Sequence, residues 1–343
     1  MPPVMRISST AGALSIFVAL AAGSSTKNAW AEDTKLLPPL AYAYGENETP
    51  RSLAMGGALR ALGNGTSAIF LNPANMPLTR LYHLEASGQF TPEATRALGS
   101  ITAVDSITSS TRVAGGASFT AGVIDPKGLD RVFTDVRSAV AYPFGDRFYL
   151  GLGVRYLRMI QDGFGILDNS ATKTYSPVSG GLVDTAGQRQ AFVDTFTFDA
   201  GATVRIGQSL HIGVVGQNLT HPGNTLLPTT VGGGIGYGTK DFSIEADGLA
   251  DFDSWSTVKW RAMAGGEYLV ANKVPIRLGY RYDQGANVHA ISGGIGYVST
   301  EMSAELAVRR TLSSTINSTM IGLSLTYHLE SSTLLASRAN SAL

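Results

Sequence analysis

The residue types that carry chemistry are present in this chain, but they do not converge. Five histidines, His83, His211, His221, His289 and His328, are scattered, with no H-x-x-x-H pair to hold a metal. No G-x-S-x-G turn presents a serine nucleophile. Cysteine is absent, which removes disulfides and thiolate metal sites. Asp251 and Asp253 in the string Asp251-Phe252-Asp253-Ser254-Trp255 have carboxylate oxygens that suit Ca2+. The same spacing is ordinary turn chemistry, because aspartate hydrogen-bonds nearby backbone. The glycines from Gly232 to Gly238 have G-x-G spacing, but no helix follows to receive a phosphate. The expectation is a non-enzyme with no cofactor and no metal.

One set of charged residues does recur in order. Asp241, Glu245 and Asp247 fall on one face of an alternating segment, and Lys259, Arg261 and Glu267 on the same face of the next. Arg277, Arg281 and Asp283 follow, and then Glu305 and Arg309. Opposite charges on adjacent strands pair across a sheet. One reading is a polar, selective conduit. The other is a structural network that fills a narrow lumen and holds register, and the balanced signs favour it over a ring of one charge.

The elements that position these residues follow from a period of two. Phe148, Leu150, Leu152, Val154 and Tyr156 alternate with Tyr149, Gly151, Gly153 and Arg155. Ile321, Leu323, Leu325 and Tyr327 do the same against Gly322, Ser324, Thr326 and His328. An apolar face against one of charges, glycines and hydroxyls describes a strand between lipid and a wet lumen. About fourteen such strands are expected, near 80–91, 95–105, 111–121, 133–143, 147–159, 190–205, 209–218, 229–239, 240–249, 258–269, 273–283, 287–298, 301–310 and 318–328. Tight turns, such as 144–146 and 271–272, alternate with longer connections, the longest from 160 to 189. Short periplasmic turns opposite long external loops are the asymmetry of outer-membrane barrels, so both termini are expected in the periplasm. The connection at 91–94 is short for an external loop. Phe148, Tyr237, Trp260, Tyr268, Tyr280, Tyr282, Tyr297 and Tyr327 sit where an interfacial aromatic girdle belongs.

Residues 1–31 read as a signal peptide. Arg6 gives a basic start, the run from Ala11 to Ala22 is apolar, and Ala29-Trp30-Ala31 is a small-x-small cleavage site before Glu32. That run is shorter than the roughly 20 residues of a spanning helix, so an N-terminal anchor fits less well. Loss of Arg6 and Lys27 leaves 24 basic residues against 26 acidic ones, a net charge near −2. Such a chain has no basic field for nucleic acid. Glycine is frequent, 40 of 343 residues, and lies inside the strand patterns, where it permits curvature and close approach of another segment.

Residues 51–76, RSLAMGGALRALGNGTSAIFLNPANM, break the period. Leu53, Ala54, Met55, Ala58, Leu59 and Leu62 predict a short helix ended by Gly63. Thr66 or Ser67 caps a second, which Pro73 stops. So small an apolar unit does not fold alone, and the interior of the barrel is the place to bury it. This string resembles the N-terminal hatch of the FadL/PorV superfamily of outer-membrane barrels, in Met55-Gly56-Gly57-Ala58 and in Ala68-Ile69-Phe70-Leu71-Asn72-Pro73-Ala74. The resemblance implies an all-β fold, a transmembrane antiparallel barrel of about 14 strands with an α-helical hatch inside the lumen. The organisation is then signal peptide 1–31, hatch 32–78, barrel 79–329 and polar tail 330–343. Met55, Gly56, Gly57, Phe70, Asn72, Pro73 and Ala74 become candidates for the hatch and ligand path. FadL-like members imply uptake of fatty-acid-like hydrophobic molecules across the outer membrane of a Gram-negative cell. PorV-like and TraF-like members imply a non-transporting adaptor for secretion, conjugation or surface assembly. The partners to expect are outer-membrane lipid with either a hydrophobic ligand or secretion-machine subunits. Hydrophobic residues in the lumen favour transport; a sealed lumen with a partner-sized external patch favours the adaptor.

Overall fold

The computed structural model describes residues 46–124, 131–161, 173–176, 181–184, 190–222, 227–255, 257–312 and 317–330. The expected signal peptide, residues 32–45 of the expected hatch, and 331–343 of the tail lie outside them. Five strands come first: β1 Leu81–Thr91, β2 Arg96–Asp105, β3 Ala114–Ile124, β4 Arg131–Phe144 and β5 Phe148–Gln161. A small hairpin follows, β6 Lys173–Ser176 and β7 Gly181–Asp184. Next come β8 Gln190–Ile206, β9 Leu210–Gln217, β10 Thr230–Gly238, β11 Phe242–Asp251 and β12 Lys259–Val270. The last are β13 Val274–Asp283, β14 Val288–Val298, β15 Met302–Thr311 and β16 Thr319–Glu330. All but β6 and β7 close into one antiparallel barrel of fourteen strands, each beside its neighbour in the chain, with β1 on β16. Closure leaves no strand edge, which a bilayer requires of any sheet that crosses it.

The alternation sets which face is which. Leu152 is 62% exposed and Leu278 70%, while Arg155 and Thr197 on the same strands or their neighbours are buried. Register keeps this phase around the ring, as in Leu152 opposite Val140 and Ala200. At one end the connections are tight. Ala271 and Asn272 both have positive φ, 51° and 56°, as the two central residues of a type I′ hairpin need. The long connections leave from the other end. The short β1–β2 connection, residues Pro92–Ala94, is a 3-10 turn that folds back on the barrel. Its Glu93 accepts from the Thr319 backbone N–H at 2.9 Å and from Arg310 at 2.7 Å, and its Ala94 is buried in the lumen.

Residues 46–79 run inside the barrel before β1. Helix α1 (Pro50–Ala54) contacts β13 to β16, and helix α2 (Thr66–Leu71) contacts β1 to β4. A 3-10 turn, Pro73–Leu78, contacts β3, β4, β5 and β8. The helix expected to reach Gly63 stops at Ala54 instead. Gly56 (φ 70°) and Gly57 (φ 87°) are left-handed, a conformation that ends a right-handed helix. The cap of α2 also differs from expectation. Gly65 is the N-cap, and the Thr66 hydroxyl, already within the helix, donates to Glu85 at 2.8 Å. Pro73 follows the end of α2, where Asn72 is extended and its side chain accepts from the Ala74 N–H at 3.1 Å.

Candidate functional site: the lumen

From the long-loop end inward, the lumen is built in three layers. The first is apolar. Leu98, Ile124, Phe133, Leu157, Met159 and Val193, on β2, β3, β4, β5 and β8, form one buried cluster with Ala94 and Leu227. Phe133, Leu157 and Met159 are fully buried. Sequence reasoning missed this cluster. Its signal was there, because Tyr156 to Ile160 places apolar residues on both faces of β5.

Below it lies a small cavity of about 70 Å3. Its floor is Gly57, Arg60, Phe70 and Leu71 of the inner segment. Arg137 and Arg155 stand on one wall and Arg261 and Arg281 on another. Arg137 and Arg155 share the buried carboxylate of Asp135, at 3.0 and 2.8 Å, and Arg137 lies over the Phe70 ring at 5.0 Å. On the other wall Arg261 pairs with Asp251 (2.9 Å), Asp283 (3.0 Å) and Glu46. Arg281 reaches Glu46 at 3.0 Å, and Arg309 reaches Glu48 at 2.7 Å. Burial pushes the Glu46 carboxyl up, but the Arg281 and Arg261 guanidiniums outweigh it and hold it below the usual carboxylate range. Nearer the tight turns, Glu267 binds Arg51 of the inner segment at 3.1 Å and also Arg277, which meets Glu305 at 2.8 Å.

The predicted inward ladder needs two corrections. Asp241 is exposed in the turn before β11, one residue short of the strand. Lys259 starts β12 at the rim, half-buried, with no ion pair among the described residues. Glu46, Glu48, Asp135, Arg137 and Arg155, absent from that ladder, belong to the lumenal charge. Backbone N–H groups and Arg261 occupy oxygens of Asp251 and Asp253. Asp251 accepts the Ser254 N–H at 2.9 Å, and Asp253 accepts the Thr229 N–H at 2.7 Å.

The third layer is the inner segment against a wall that has given up side chains. A Cβ on Gly279 would lie 2.2 Å from the Gly56 nitrogen, and one on Gly265 2.5 Å from the Met55 carbonyl oxygen. Pro73 and Ala74 press on Gly151 in the same way. Asn72 is the hub. Its amide donates to the Arg60 carbonyl at 2.8 Å and to Thr203 at 3.1 Å, and Asn75 donates to the same carbonyl at 3.0 Å. The candidate residues Met55, Gly56, Gly57, Phe70, Asn72, Pro73 and Ala74 thus gather in one buried unit around Arg60. Of these only Gly57 and Phe70 line the cavity.

No family model matches this sequence, and no curated protein does. Solved structures do. The chain is similar to the CymD monoaromatic hydrocarbon channel, at TM-score 0.59 and 14% identity over 83% of this chain and 97% of that one. It is similar to the toluene transporter TodX of P. putida, at TM-score 0.55 and 12% identity over 84% and 99%. It is similar to a FadL homologue of Pseudomonas aeruginosa, at TM-score 0.56 and 16% identity over 83% and 98%. At such identities the likeness shows the fold.

Proposed function

We propose that this chain is a passive outer-membrane conduit for hydrophobic small molecules, with residues 46–78 as its lumenal hatch. The observation that carries this reading is the apolar layer inside the mouth. A barrel that only needed to stand in lipid would spend its apolar residues on the outer face, as the clean alternation of β4 and β5 does elsewhere. Phe133, Leu157 and Met159 instead turn their side chains inward and pack on one another directly above a small cavity. A solute that parts this cluster leaves water for apolar side chains, and polar groups beneath keep the site from holding it too tightly. The fold shared with channels described as carrying monoaromatic hydrocarbons and toluene supports the same reading.

The outward apolar band and aromatic residues such as Trp260 and Tyr297 suit a Gram-negative outer membrane, with the tight turns periplasmic and a signal peptide ending at Ala31. The test is uptake. Cells with the chain should take up a labelled apolar aromatic faster than cells without it, and Leu157→Asp should abolish the gain while leaving a heat-modifiable barrel. Equal uptake by all three strains would remove the transport reading and return the adaptor.

A further inference from the structure

We propose that the solute path from the lumenal cavity to the tight-turn end follows a glycine track along β10, closed by the carboxylates of Glu245 and Asp247. The inference rests on reading the barrel as a conduit and names the route and its catch. Inward positions of β10 below Thr230 are Gly232, Gly234, Gly236 and Gly238, and Gly213 of β9 pairs beside Gly234. Thr230 and Gln217 line the cavity, so cavity and track are continuous along one strand pair.

Four groups fill the track. The Arg60 carbonyl oxygen lies 2.2 Å from where a Cβ on Gly213 would stand, and the Leu62 Cγ 2.4 Å from a Cβ on Gly236. Over Gly234, Asp247 Oδ1 and Glu245 Oε1 come within 1.8 and 2.9 Å of a Cβ position. The same two carboxylates accept four consecutive backbone N–H groups. Asp247 takes Leu59 (3.1 Å) and Arg60 (3.0 Å), and Glu245 takes Ala61 and Leu62 (2.9 Å). Residues 58–62 form no regular helix, and Gly56 and Gly57 before them and Gly63 and Gly65 after them flank the stretch. The Asp247 side chain is fully buried, and its Oδ1 points into the track beside the Glu245 carboxyl, with which it shares a hydrogen bond. This carboxyl pair marks the point where a polar group passing down the track is received. When the four backbone bonds release, residues 58–62 move off as a flap, and the track opens as a slot over the β10 glycines.

The absence of native cysteine allows a direct test. Leu62→Cys with Gly236→Cys places two thiols across the track, within reach of a disulfide. The probe is octylguanidinium, an amphiphile whose fixed positive charge keeps it from crossing lipid unaided and whose N–H groups can donate to the two carboxyls, measured as uptake into proteoliposomes. Oxidised, the pair should fall to the leak of protein-free vesicles, and reduction should restore the uptake that the same pair shows before oxidation. A staple away from the track, Gly153→Cys with Asp199→Cys across β5 and β8, whose Cβ positions lie 3.4 Å apart, should change nothing on oxidation. Glu245→Gln with Asp247→Asn weakens the catch and should raise uptake roughly tenfold, because hydrogen bonds to charged groups are the stronger kind. That pair decides the matter should the cysteine pair fail to give a heat-modifiable barrel. Uptake that oxidation of the track pair leaves unchanged, or that both staples stop alike, overturns the route and leaves the conduit standing. No uptake by wild type or by the carboxamide pair overturns both.

Discussion

Along β2, β3, β4, β5 and β8, the inward positions near the long loops include Leu98, Ile124, Phe133, Leu157, Met159 and Val193. At the same depth along β11, β12, β13 and β15 they are Asp251, Arg261, Arg281, Asp283 and Arg309. Both walls are buried, and both come from strands with the same alternation. The apolar wall packs on itself, side chain to side chain, so it needs no partner from elsewhere. The charged wall packs on residues 46–48 of the inner segment, and its guanidiniums are satisfied by Glu46 and Glu48 as much as by strand neighbours. The lesson is that a lumenal face takes its chemistry from what it meets, whereas the outer face meets only lipid.

The largest expected effect lies in the apolar wall. Phe133→Ala should cost about 3–5 kcal/mol, since a fully buried ring leaves a cavity. Lys259→Met on the charged wall should change stability by less than about 0.5 kcal/mol, because that lysine pairs with nothing described. Denaturant midpoints of the barrel in liposomes compare the two. Similar shifts would mean that the mouth cluster is not a packed core.

The contrast between faces comes next. Leu152→Arg, near the middle of β5 on the outer face, should cost about 2–4 kcal/mol. Its inward neighbour Gly153 has room for a Cβ, at 3.4 Å from Asp199, so Gly153→Ser should be mild. Equal tolerance at the two positions would invert the assignment of faces.

Within the inner segment, Gly56→Ala should cost about 2 kcal/mol or more, because it combines a positive φ with a Cβ 2.7 Å from the Tyr280 carbonyl oxygen. Gly57→Ala meets nothing closer than 3.5 Å and keeps only the backbone penalty, about 1 kcal/mol. Heat-modifiability of the two variants ranks them, and the reverse order would show that contact with the wall does not set the position of the segment.

The smallest effect is one of pH. Glu46 has a folded pKa held below its unfolded value of about 4.3, so its contribution is present above that pH and lost as acidity rises through the folded value. Acidification below about pH 4 should therefore lower barrel stability. Glu46→Gln should be less stable than wild type at neutral pH and flatter in acid. A parallel decline in both proteins would assign the acid sensitivity to other carboxylates.

Strand number, order and facing were legible because lipid imposes one rule on every outer position, repeated at every second residue. The strands expected at 133–143 and 147–159 appear as Arg131–Phe144 and Phe148–Gln161. The inner segment was legible as something buried, since apolar residues and glycines mix there without a period of two. Its path was not. The helix expected through Leu62 ended at Gly56-Gly57, because apolar spacing says nothing about two left-handed residues. Arg60 reads as an ordinary helix-surface arginine, yet its carbonyl binds Asn72 and Asn75, and its guanidinium pairs with Asp247 at 3.1 Å.

The sequence by itself determined the barrel, because a period of two and a bilayer leave one architecture for such strands. Only the tertiary structure decided how the lumen is filled. Glu245 and Asp247 sit two residues apart on one strand and could have paired with arginines of β12 or β13. They hold the backbone of residues 59–62 instead. A backbone N–H has no identity in the sequence, so nothing short of the folded chain shows which carboxylates it will meet.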